Sequence, residues 1–405
     1  MSKSTKPSSE AARFRQDIRS QLRTRVREAI EIVLEEELAE ALGCSPYERS
    51  GERQGYRHGK QRRTVTTAYG AKELDIPRGR LVSADGSSQE FRSEILPRYQ
   101  RRTQEVDEAI LGAYLAGANS RRIRKALAPL LGEEHLSKSA VSRVVSRLKE
   151  HFSRWSQRDL SEEHYAIVFL DGFHLKVRIA RRVVSVPILA VLGVADDGTK
   201  CLVALRLAAS EANAHWKWLI EDLQRRGLAA PRYLVSDGHK GLVKAVKAWP
   251  EATVQRCLQH KWANLKAHCP KHAHDELKRD WHRIVSAEDD GPTDAALVAR
   301  GAYATFVAKW RKLCPAVARS LEEAGHDLLT FYELPKPLRR SMRTTNALEN
   351  LNREFRRRTK TQGSFSTEAA GITLLWGLVA FGQIKMRRIN GYEELRTILR
   401  QREAA

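Results

Sequence analysis

The chain of 405 residues lacks the features that mark secreted and membrane proteins. Its five cysteines stand at scattered positions, and an odd number argues against a disulfide framework. The sequence has no run of about 18 apolar residues, so no membrane-spanning helix is predicted. The first residues are polar and lack the apolar core of a signal peptide. We therefore expect a protein of two or three globular domains in a reducing cytoplasm.

Acidic residues are scarce relative to basic ones. The chain has 71 Lys and Arg against 49 Asp and Glu, a formal net charge of +22. Such an excess is typical of proteins that bind polyanions, because Lys and Arg neutralise phosphate groups. Charge alone leaves open a basic binding protein without catalytic activity, for example one associated with ribosomes.

The first hundred residues contain signals for one helix and one hairpin. Apolar residues recur at helical spacing over 11–42, which predicts an amphipathic helix that packs on a core or on a second copy of itself. Residues 63–77 alternate like a β-hairpin with its turn near Gly70. Residues 79–98 contain Gly, Ser and Pro breaks and are interpreted as a linker.

Residues 99–156 return to a helical pattern. One helix is predicted to start at Arg121, and a second, Ser137–Lys149, would be the recognition helix of a helix-turn-helix. Eight basic residues oppose three acidic ones between Arg121 and Glu150. The alternative is an ordinary basic helical pair inside a bundle. The candidate DNA-binding residues of this region are Arg121, Arg122, Arg124, Lys138, Arg143 and Arg147.

From residue 164 the pattern predicts a mixed β-sheet with helices on its faces, an α/β fold. Strands are expected at 164–171, 173–180, 183–195, 201–208, a segment ending at Asp237, and 252–257. Residues 258 to about 332 contain no convincing strand and are expected to be helical. A last helical region is expected from about Thr345 to Ile389.

Two of these strands end in Asp-Gly, at Asp171-Gly172 and Asp237-Gly238. Asp-Gly is a common turn signal, so each aspartate is expected at the tip of its strand, where the backbone turns. Two such carboxylates would lie together if the strands are neighbours, and carboxylates are preferred ligands of Mg²⁺. The pattern thus suggests metal-dependent chemistry on nucleic acid, for which a third carboxylate is needed.

The best third carboxylate is Glu349. On a helix, Leu348, Leu351 and Phe355 form one apolar stripe, while Glu349 falls on another face. Arg353 and Arg356 would then bind phosphates beside it. The alternative is a surface ion pair between Glu349 and Arg353, worth only about 0.3 kcal/mol. Asn346 and Asn352 share the polar face.

Three further alternatives concern residues 257–310. Asp275 or Glu276 could supply a closer third acid. The Cys257 and His260 pair suggests zinc, with His268, Cys269, His272 and His274 nearby, although the spacing is not that of a familiar finger. The tryptophans at 262, 281 and 310 either belong to a core or stack on unpaired bases.

Several stretches make the chain similar to a known family. The helix from Thr344 to Glu349 and on through Arg356 to Lys360 is the most specific of them. The chain resembles the Mutator-type transposases of bacterial insertion sequences, an Asp-Asp-Glu group with a ribonuclease H-like catalytic domain. The resemblance covers roughly residues 15–395. The other matching stretches are 47–59, 75–78, 169–172, 236–242 and 255–260.

The resemblance implies a catalytic triad of Asp171, Asp237 and Glu349 that binds two ions of Mg²⁺ (or Mn²⁺). It implies a ribonuclease H-like mixed five-stranded sheet with an all-helical insertion, preceded by a mainly helical DNA-binding region with a small β-hairpin. Related transposases carry a C-x-x-H pair, so Cys257 and His260 are expected to pack and hydrogen-bond near the site. The DNA-binding residues of the Glu349 helix would be Arg353, Arg356, Arg357 and Lys360.

The expected domains follow from these assignments. They are 1–45 for an N-terminal helix that serves dimerisation, 46–98 for the hairpin and linker, 99–158 for DNA binding, 159–257 and 336–405 for the catalytic core, and 258–335 for the insertion.

The implied function is DNA transposition by a nucleoid-associated bacterial enzyme. It would bind terminal inverted repeats, cleave the transposon ends, and join the 3′-hydroxyl to target DNA. Because two ends must be joined, a homodimer or larger assembly is expected. The alternatives are a DNA-binding regulator with an inert catalytic domain and a plain nuclease of the ribonuclease H class.

Overall fold

The chain divides into two compact units, residues 1–147 and 148–405. The computed structural model describes residues 9–48, 51, 53–83, 86–131, 136–179, 181–288, 294–360, 365 and 367–395. All five cysteines are free thiols, in agreement with the expectation that they form no disulfide framework. No helix in the described ranges is long and apolar enough to cross a membrane.

The first unit opens with a long helix that packs on a small antiparallel sheet. Leu34 of the helix meets Val65 and Leu74 of the sheet in a core that excludes water. The turn of the hairpin ends at Gly70, whose positive φ of 99° favours glycine. The elements are α1 (Ser9–Leu42), β1 (Gly55–Thr67), β2 (Gly70–Val82) and β3 (Ser88–Glu90).

The prediction of a linker at 79–98 is therefore wrong for residues 79–82 and 88–90, which form strands. Strand β2 continues through Val82, and Ser88–Glu90 pairs with it as a third antiparallel strand. The Gly and Ser residues that suggested a linker lie partly in strands, because β3 satisfies backbone groups that the edge of β2 would otherwise expose.

Three helices complete the first unit around a second apolar core. Val106, Ile110, Ile123 and Val141 are all buried in it. Asn119 Oδ1 accepts a hydrogen bond from the Arg122 backbone N–H and so caps the helix predicted to start at Arg121. The helices are α2 (Gln104–Leu115), α3 (Ser120–Leu131) and α4 (Lys138–Ser156), and α4 continues past the boundary between the units.

The second unit is built on a five-stranded mixed sheet, as predicted. The strand order is β6-β5-β4-β7-β8, in which β4, β5 and β6 pair antiparallel while β7 and β8 run parallel to β4. The strands are β4 (Ile167–Ile179), β5 (Arg182–Val194), β6 (Lys200–Leu207), β7 (Tyr233–Ser236) and β8 (Thr253–Arg256).

Strand β4 is one continuous strand, so the prediction of two strands at 164–171 and 173–180 is wrong. Asp171 pairs with Ala190 and Gly172 with Leu189 in the unbroken ladder with β5. The Asp-Gly pair does not turn here, because a long partner strand on one side holds the backbone extended.

The two faces of β4 contact different helices. Val168 and Leu170 pack in the core that contains Trp216 of helix α5 (Asn213–Arg225). Successive side chains of a strand point to opposite faces, so Phe173 and Asp171 lie on the other side. Phe173 there lies 5.7 Å from Phe355 of helix α12 (Asn346–Thr359), as measured between ring centroids, with the two rings tilted.

Helices fill the chain between β8 and α12. No strand occurs in the described residues 258–288 and 294–335, which confirms the helical prediction. Trp281 and Trp310 are 6% and 1% exposed, which favours the core interpretation over base stacking for these two. The helices are α6 (Lys240–Ala245), which precedes β8, then α7 (Leu258–His268), α8 (His274–Val285), α9 (Ala295–Leu313), α10 (Pro315–Ala324) and α11 (Lys336–Met342).

Two helices follow, α12 (Asn346–Thr359) and α13 (Glu368–Ala380). The predicted apolar stripe of Leu348, Leu351 and Phe355 is buried on α12. The last helix ends at Ala380, earlier than the expected Ile389, and Gly382 follows with a positive φ of 66°. The apolar stripe of α12 packs on β4, where Phe355 lies beside Phe173, and Arg353 and Arg356 on its other side are exposed.

Candidate active site

The sheet brings Asp171 and Asp237 to adjoining positions. Parallel strands β4 and β7 pair Leu170 with Ser236, and the two aspartates are the next residues of each chain segment. Asp237 follows the end of its strand, as predicted, and its Oδ1 accepts a hydrogen bond of 3.0 Å from the His239 backbone N–H. Asp171 instead projects from the interior of β4, which corrects its expected place at a strand tip.

Helix α12 contacts Asp171 through an asparagine. Asn352 Nδ2 donates to Asp171 Oδ2 at 3.1 Å, and both side chains are buried. Glu349 lies three residues earlier on the same helix, so its side chain occupies the neighbouring position on the same face. Thr345 Oγ1 donates to Glu349 Oε1 at 3.0 Å and holds that carboxylate from the preceding turn.

The electrostatics of Asp171 reflect this crowding of acids. Burial, followed by the negative charge of Asp237, raises the pKa of Asp171 to about 7. Glu349 raises this pKa further, whereas His260 lowers it. Because carboxylates affect one another in this way only at short range, Asp171, Asp237 and Glu349 share one electrostatic site.

Cys257 and His260 lie against Glu349. The Thr345 backbone N–H donates to Cys257 Sγ at 3.4 Å, and His260 Nδ1 lies 3.9 Å from Glu349 Oε1. The hydrogen bond with Cys257 raises the pKa of His260 to about 9. Burial opposes ionisation of the thiol, but its hydrogen bonds with His260 and Thr345 prevail and lower the pKa of Cys257.

The donor atoms can be tested against a metal ion. Over the described ranges, one group of His, Cys, Asp and Glu has all its ligand atoms within 4.8 Å, namely Cys257, His260 and Glu349. Neither aspartate belongs to that group, and neither do the residues of the zinc alternative at 268–274. Three donors are one fewer than a closed tetrahedral zinc site needs.

Among the described residues, two of the buried side-chain atoms that lack a hydrogen-bond partner lie beside the carboxylates. They are His260 Nδ1 and Asn352 Oδ1, beside Glu349 and Asp171 respectively. Buried polar atoms are normally satisfied, so such atoms at a site call for a ligand or water. Clustered carboxylates with an amide oxygen are hard oxygen donors, which fits a divalent cation such as Mg²⁺.

The turn after Asp237 is held by Arg256, a residue that the sequence did not single out. Arg256 is 2% exposed, and its Nη2 donates to the Gly238 carbonyl at 3.3 Å. The same guanidinium binds the carboxylate of Glu323 on α10 at 3.0 and 3.2 Å. Lys261 Nζ reaches Glu323 at 2.9 Å. A Cβ at position 238 would approach Arg256 Nη2 to 2.3 Å, so a larger residue there would displace the guanidinium.

The alternative third acids, which lie closer to Asp237 in the sequence, make other contacts. Glu276 pairs with Lys309 at 2.6 Å within the helical segment, and Asp275 is exposed in the first turn of α8. Glu354 pairs with Arg357 at 2.7 Å and does not share the face of Glu349. Glu349 is one of the main groups that shift the pKa of Asp171, whereas Asp275 and Glu276 are not.

The candidate DNA-binding residues of α12 lie at its surface. Arg353, Arg356, Arg357 and Lys360 are exposed. Arg353 Nη2 donates to Asn350 Oδ1 at 2.6 Å, which orients it along the helix. Their contact with DNA stays a prediction.

The candidate DNA-binding residues of the first unit differ from one another in exposure and in contacts. Arg121, Arg122 and Arg143 are exposed. Arg147 is exposed but pairs with Asp107, and Arg124 Nε donates to the Leu136 carbonyl at 2.8 Å, which ties α3 to the residue two positions before α4. The side chain of Lys138 lies outside the described residues. DNA contact by this set also stays a prediction.

Comparison with known proteins places the chain. A family described as "Transposase, Mutator family" matches residues 2–383. The transposase for insertion sequence element ISRM5 of Rhizobium meliloti (strain 1021) is 33% identical over 324 residues, which cover 80% of this chain and 78% of that protein. The transposase for IS1081 of Mycobacterium tuberculosis (strain ATCC 25618 / H37Rv) is 34% identical over 362 residues, which cover 88% and 84%. The chain belongs to the Mutator family of transposases.

Proposed function

We propose that this transposase cleaves the ends of a bacterial insertion sequence and joins them to target DNA at Asp171, Asp237 and Glu349. One observation carries the proposal. Glu349 lies on the face of α12 whose Asn352 donates to Asp171, and Asp171 adjoins Asp237 across two parallel strands. Three acids far apart in sequence thus influence one another, and the pKa of Asp171 rises to about 7.

The catalytic domain is proposed to be ribonuclease H-like. Counted along the second unit, its strands lie in the order 3-2-1-4-5. The first three are antiparallel and the last two run parallel to the first. The helices between β8 and α12 would be the insertion, residues 258–335, with the catalytic core at 159–257 and 336–405.

Asp171, Asp237 and Glu349 would hold two Mg²⁺ or Mn²⁺ ions. Bound ions would neutralise charge on the phosphate and activate the attacking and leaving oxygens. The three carboxylates need not converge within 4.8 Å, because two bound ions would divide these ligands between them. The atoms Asn352 Oδ1 and His260 Nδ1, which lack partners, border this space.

The chain's own residues would act mainly by positioning. Asn352 orients the Asp171 carboxylate, Thr345 orients that of Glu349, and Arg256 holds the turn that carries Asp237. Arg353, Arg356, Arg357 and Lys360 would bind phosphates of the DNA. Hydrolysis at the transposon end and attack by the new 3′-hydroxyl are both phosphoryl transfers, so one carboxylate cluster serves both steps.

Residues 99–158 are proposed to recognise the terminal inverted repeats. Helices α3 and α4 have the length, the caps and the exposed arginines of a helix-turn-helix, with Ser137–Lys149 as the recognition segment. Residues 1–45 would form the contact between two copies, since four large apolar side chains are exposed among those described on α1. These are Ile18, Leu22, Ile32 and Val33, from 41% to 57% exposed.

The test is a strand-transfer assay with the full chain. A labelled duplex that carries the element's own end is incubated with target DNA, with and without Mg²⁺. We expect a joined product that requires the ion. Cleavage without joining would indicate a plain nuclease, and binding without cleavage would indicate a regulator; either result overturns the proposal.

A further inference from the structure

A basic groove lies on α12 away from the catalytic carboxylates. Its volume is about 430 Å³, and its walls are the outer side of α12 and the segment 383–387. Arg358 Nη2 donates to the Gln383 carbonyl at 3.3 Å, which fixes the segment against the helix. The charged lining residues are Lys200, Arg353, Glu354, Arg357, Lys385 and Arg387.

The groove and the catalytic site use different faces of one helix. Ala347, Asn350, Glu354 and Arg357 line the groove at steps of three and four residues. At roughly 100° per residue, Asn352 is offset from these four residues by about 140° to 160°, and Glu349 by about 80° to 160°. A strand in the groove therefore lies on the side of α12 that faces away from the contact between Asn352 and Asp171.

The positive charge of the groove is poorly compensated. Five of its six charged residues are cations, and its acid, Glu354, pairs with Arg357 at 2.7 Å. In the part of the chain that the structure describes, Lys200, Lys385 and Arg387 form no ion pair. Burial and the nearby charge of Arg387 lower the pKa of Lys200. Cations held together without an anion raise the energy of the free protein, and a bound anion would relieve it.

We infer that this groove binds the phosphodiester backbone of a DNA segment other than the one being cleaved. Arginine forks match phosphate oxygens, and the amides of Asn350 and Gln383 supply further donors. The buried apolar side chains of Leu351 and Ile384 form a floor suited to deoxyribose. The inference rests on the proposed function, because it assumes that DNA lies across α12.

The source of that DNA is either the target duplex or the transposon end beyond its cleavage point. The variant K385Q/R387Q removes two charges from the groove and none from the catalytic face. The control K278Q/R279Q removes two exposed charges from α8 of the same unit. Dissociation constants are measured with the full chain in EDTA over a range of salt, with one duplex carrying the element's end and one of unrelated sequence.

Each phosphate contact contributes about 0.9 to the slope of log K against log salt. We expect K385Q/R387Q to lower that slope by about 2 for at least one duplex, while the control leaves it unchanged. A change confined to the unrelated duplex assigns the groove to target DNA, and a change confined to the end duplex assigns it to the transposon. An unchanged slope for both, or a drop equal to the control's, overturns the inference.

The result of this binding test is independent of the result of the strand-transfer assay that tests the proposed function. Binding in EDTA requires no catalysis, so a failed groove leaves strand transfer by the unmodified chain intact. Conversely, K385Q/R387Q can show the expected change in slope while the unmodified chain yields no joined product. That result supports DNA binding in the groove and contradicts the proposed chemistry. Circular dichroism of K385Q/R387Q and its control confirms that both fold.

Discussion

The two units handle charge in opposite ways. Every charged side chain that is buried in the described residues belongs to the second unit, namely Asp171, Arg256, Lys261 and Asp280. In the first unit the ion pairs are partly exposed, as between Arg57 and Glu35, whose side chains are 24% and 26% exposed. Exposed charge acts at a distance and is screened by salt, whereas buried charge depends on its immediate partners. The first unit thus suits attraction of DNA, and the second suits fixed positioning.

The largest expected effect is a loss of DNA cleavage when the buried carboxylate of Asp171 is replaced. D171N should reduce cleavage of the transposon end by at least about 10²-fold, because a neutral amide cannot neutralise a cation at the reacting phosphate. DNA binding in EDTA should be unchanged. D275N is the matched control, since Asp275 is exposed on α8, and it should cleave normally. Normal cleavage by D171N would remove Asp171 from the site.

The pH dependence of stability should change in the same variant. The pKa of Asp171 is raised to about 7 in the folded protein, so its proton favours folding at low pH. That contribution is fully present below the usual pKa of about 3.9 and is lost as pH rises through about 7. Metal-free D171N should therefore melt at a higher temperature than the unmodified chain at pH 8, with the difference shrinking toward pH 4. Melting curves in EDTA across this range check the sign, and equal curves at pH 8 would contradict it.

Removal of a buried cation should cost more stability than removal of an exposed one. R256M removes the Arg256 donor from the Gly238 carbonyl and leaves the Glu323 carboxylate with Lys261 as its remaining partner, for a loss of about 2 kcal/mol in the free energy of unfolding. R57M breaks a partly exposed pair and should cost about 1 kcal/mol or less.

Urea titration separates these two losses. All eight tryptophans follow residue 147, so their fluorescence reports the second unit, and circular dichroism reports both units. Equal losses for R256M and R57M would erase the contrast between the units.

The smallest effect is expected for exposed arginines of the first unit. R121Q/R122Q should lower the salt slope of binding to the end duplex by about 2, without loss of stability, because both side chains are exposed. Fluorescence anisotropy across salt concentrations measures the slope, with K278Q/R279Q as the control. A slope equal to the control's would argue against DNA contact by α3.

The sequence predicted those parts of the site that local patterns encode. The period of Leu348, Leu351 and Phe355 placed Glu349 on the polar side of a helix, and the apolar run before Asp237 placed it at a strand end. The position of Asp171 was mispredicted because Asp-Gly usually turns, and the pairing of Gly172 with Leu189 is a long-range contact.

The supporting contacts could not be predicted for the same reason. Asn352 meets Asp171 across 181 residues of chain, and Arg256 meets Glu323 across 67. Such pairs have no local period. An arginine at the end of a buried strand is one available signal, because a cation there needs a partner.

Helix α12 carries both Asn352, which donates to Asp171, and Glu349, one turn away. A rigid helix cannot move one of these side chains and leave the other behind. A rotation or an axial shift of α12 would therefore release Asp171 and withdraw Glu349 in the same motion. The proposed catalytic site would then be complete or dismantled as a unit, because the two contacts depend on one helix.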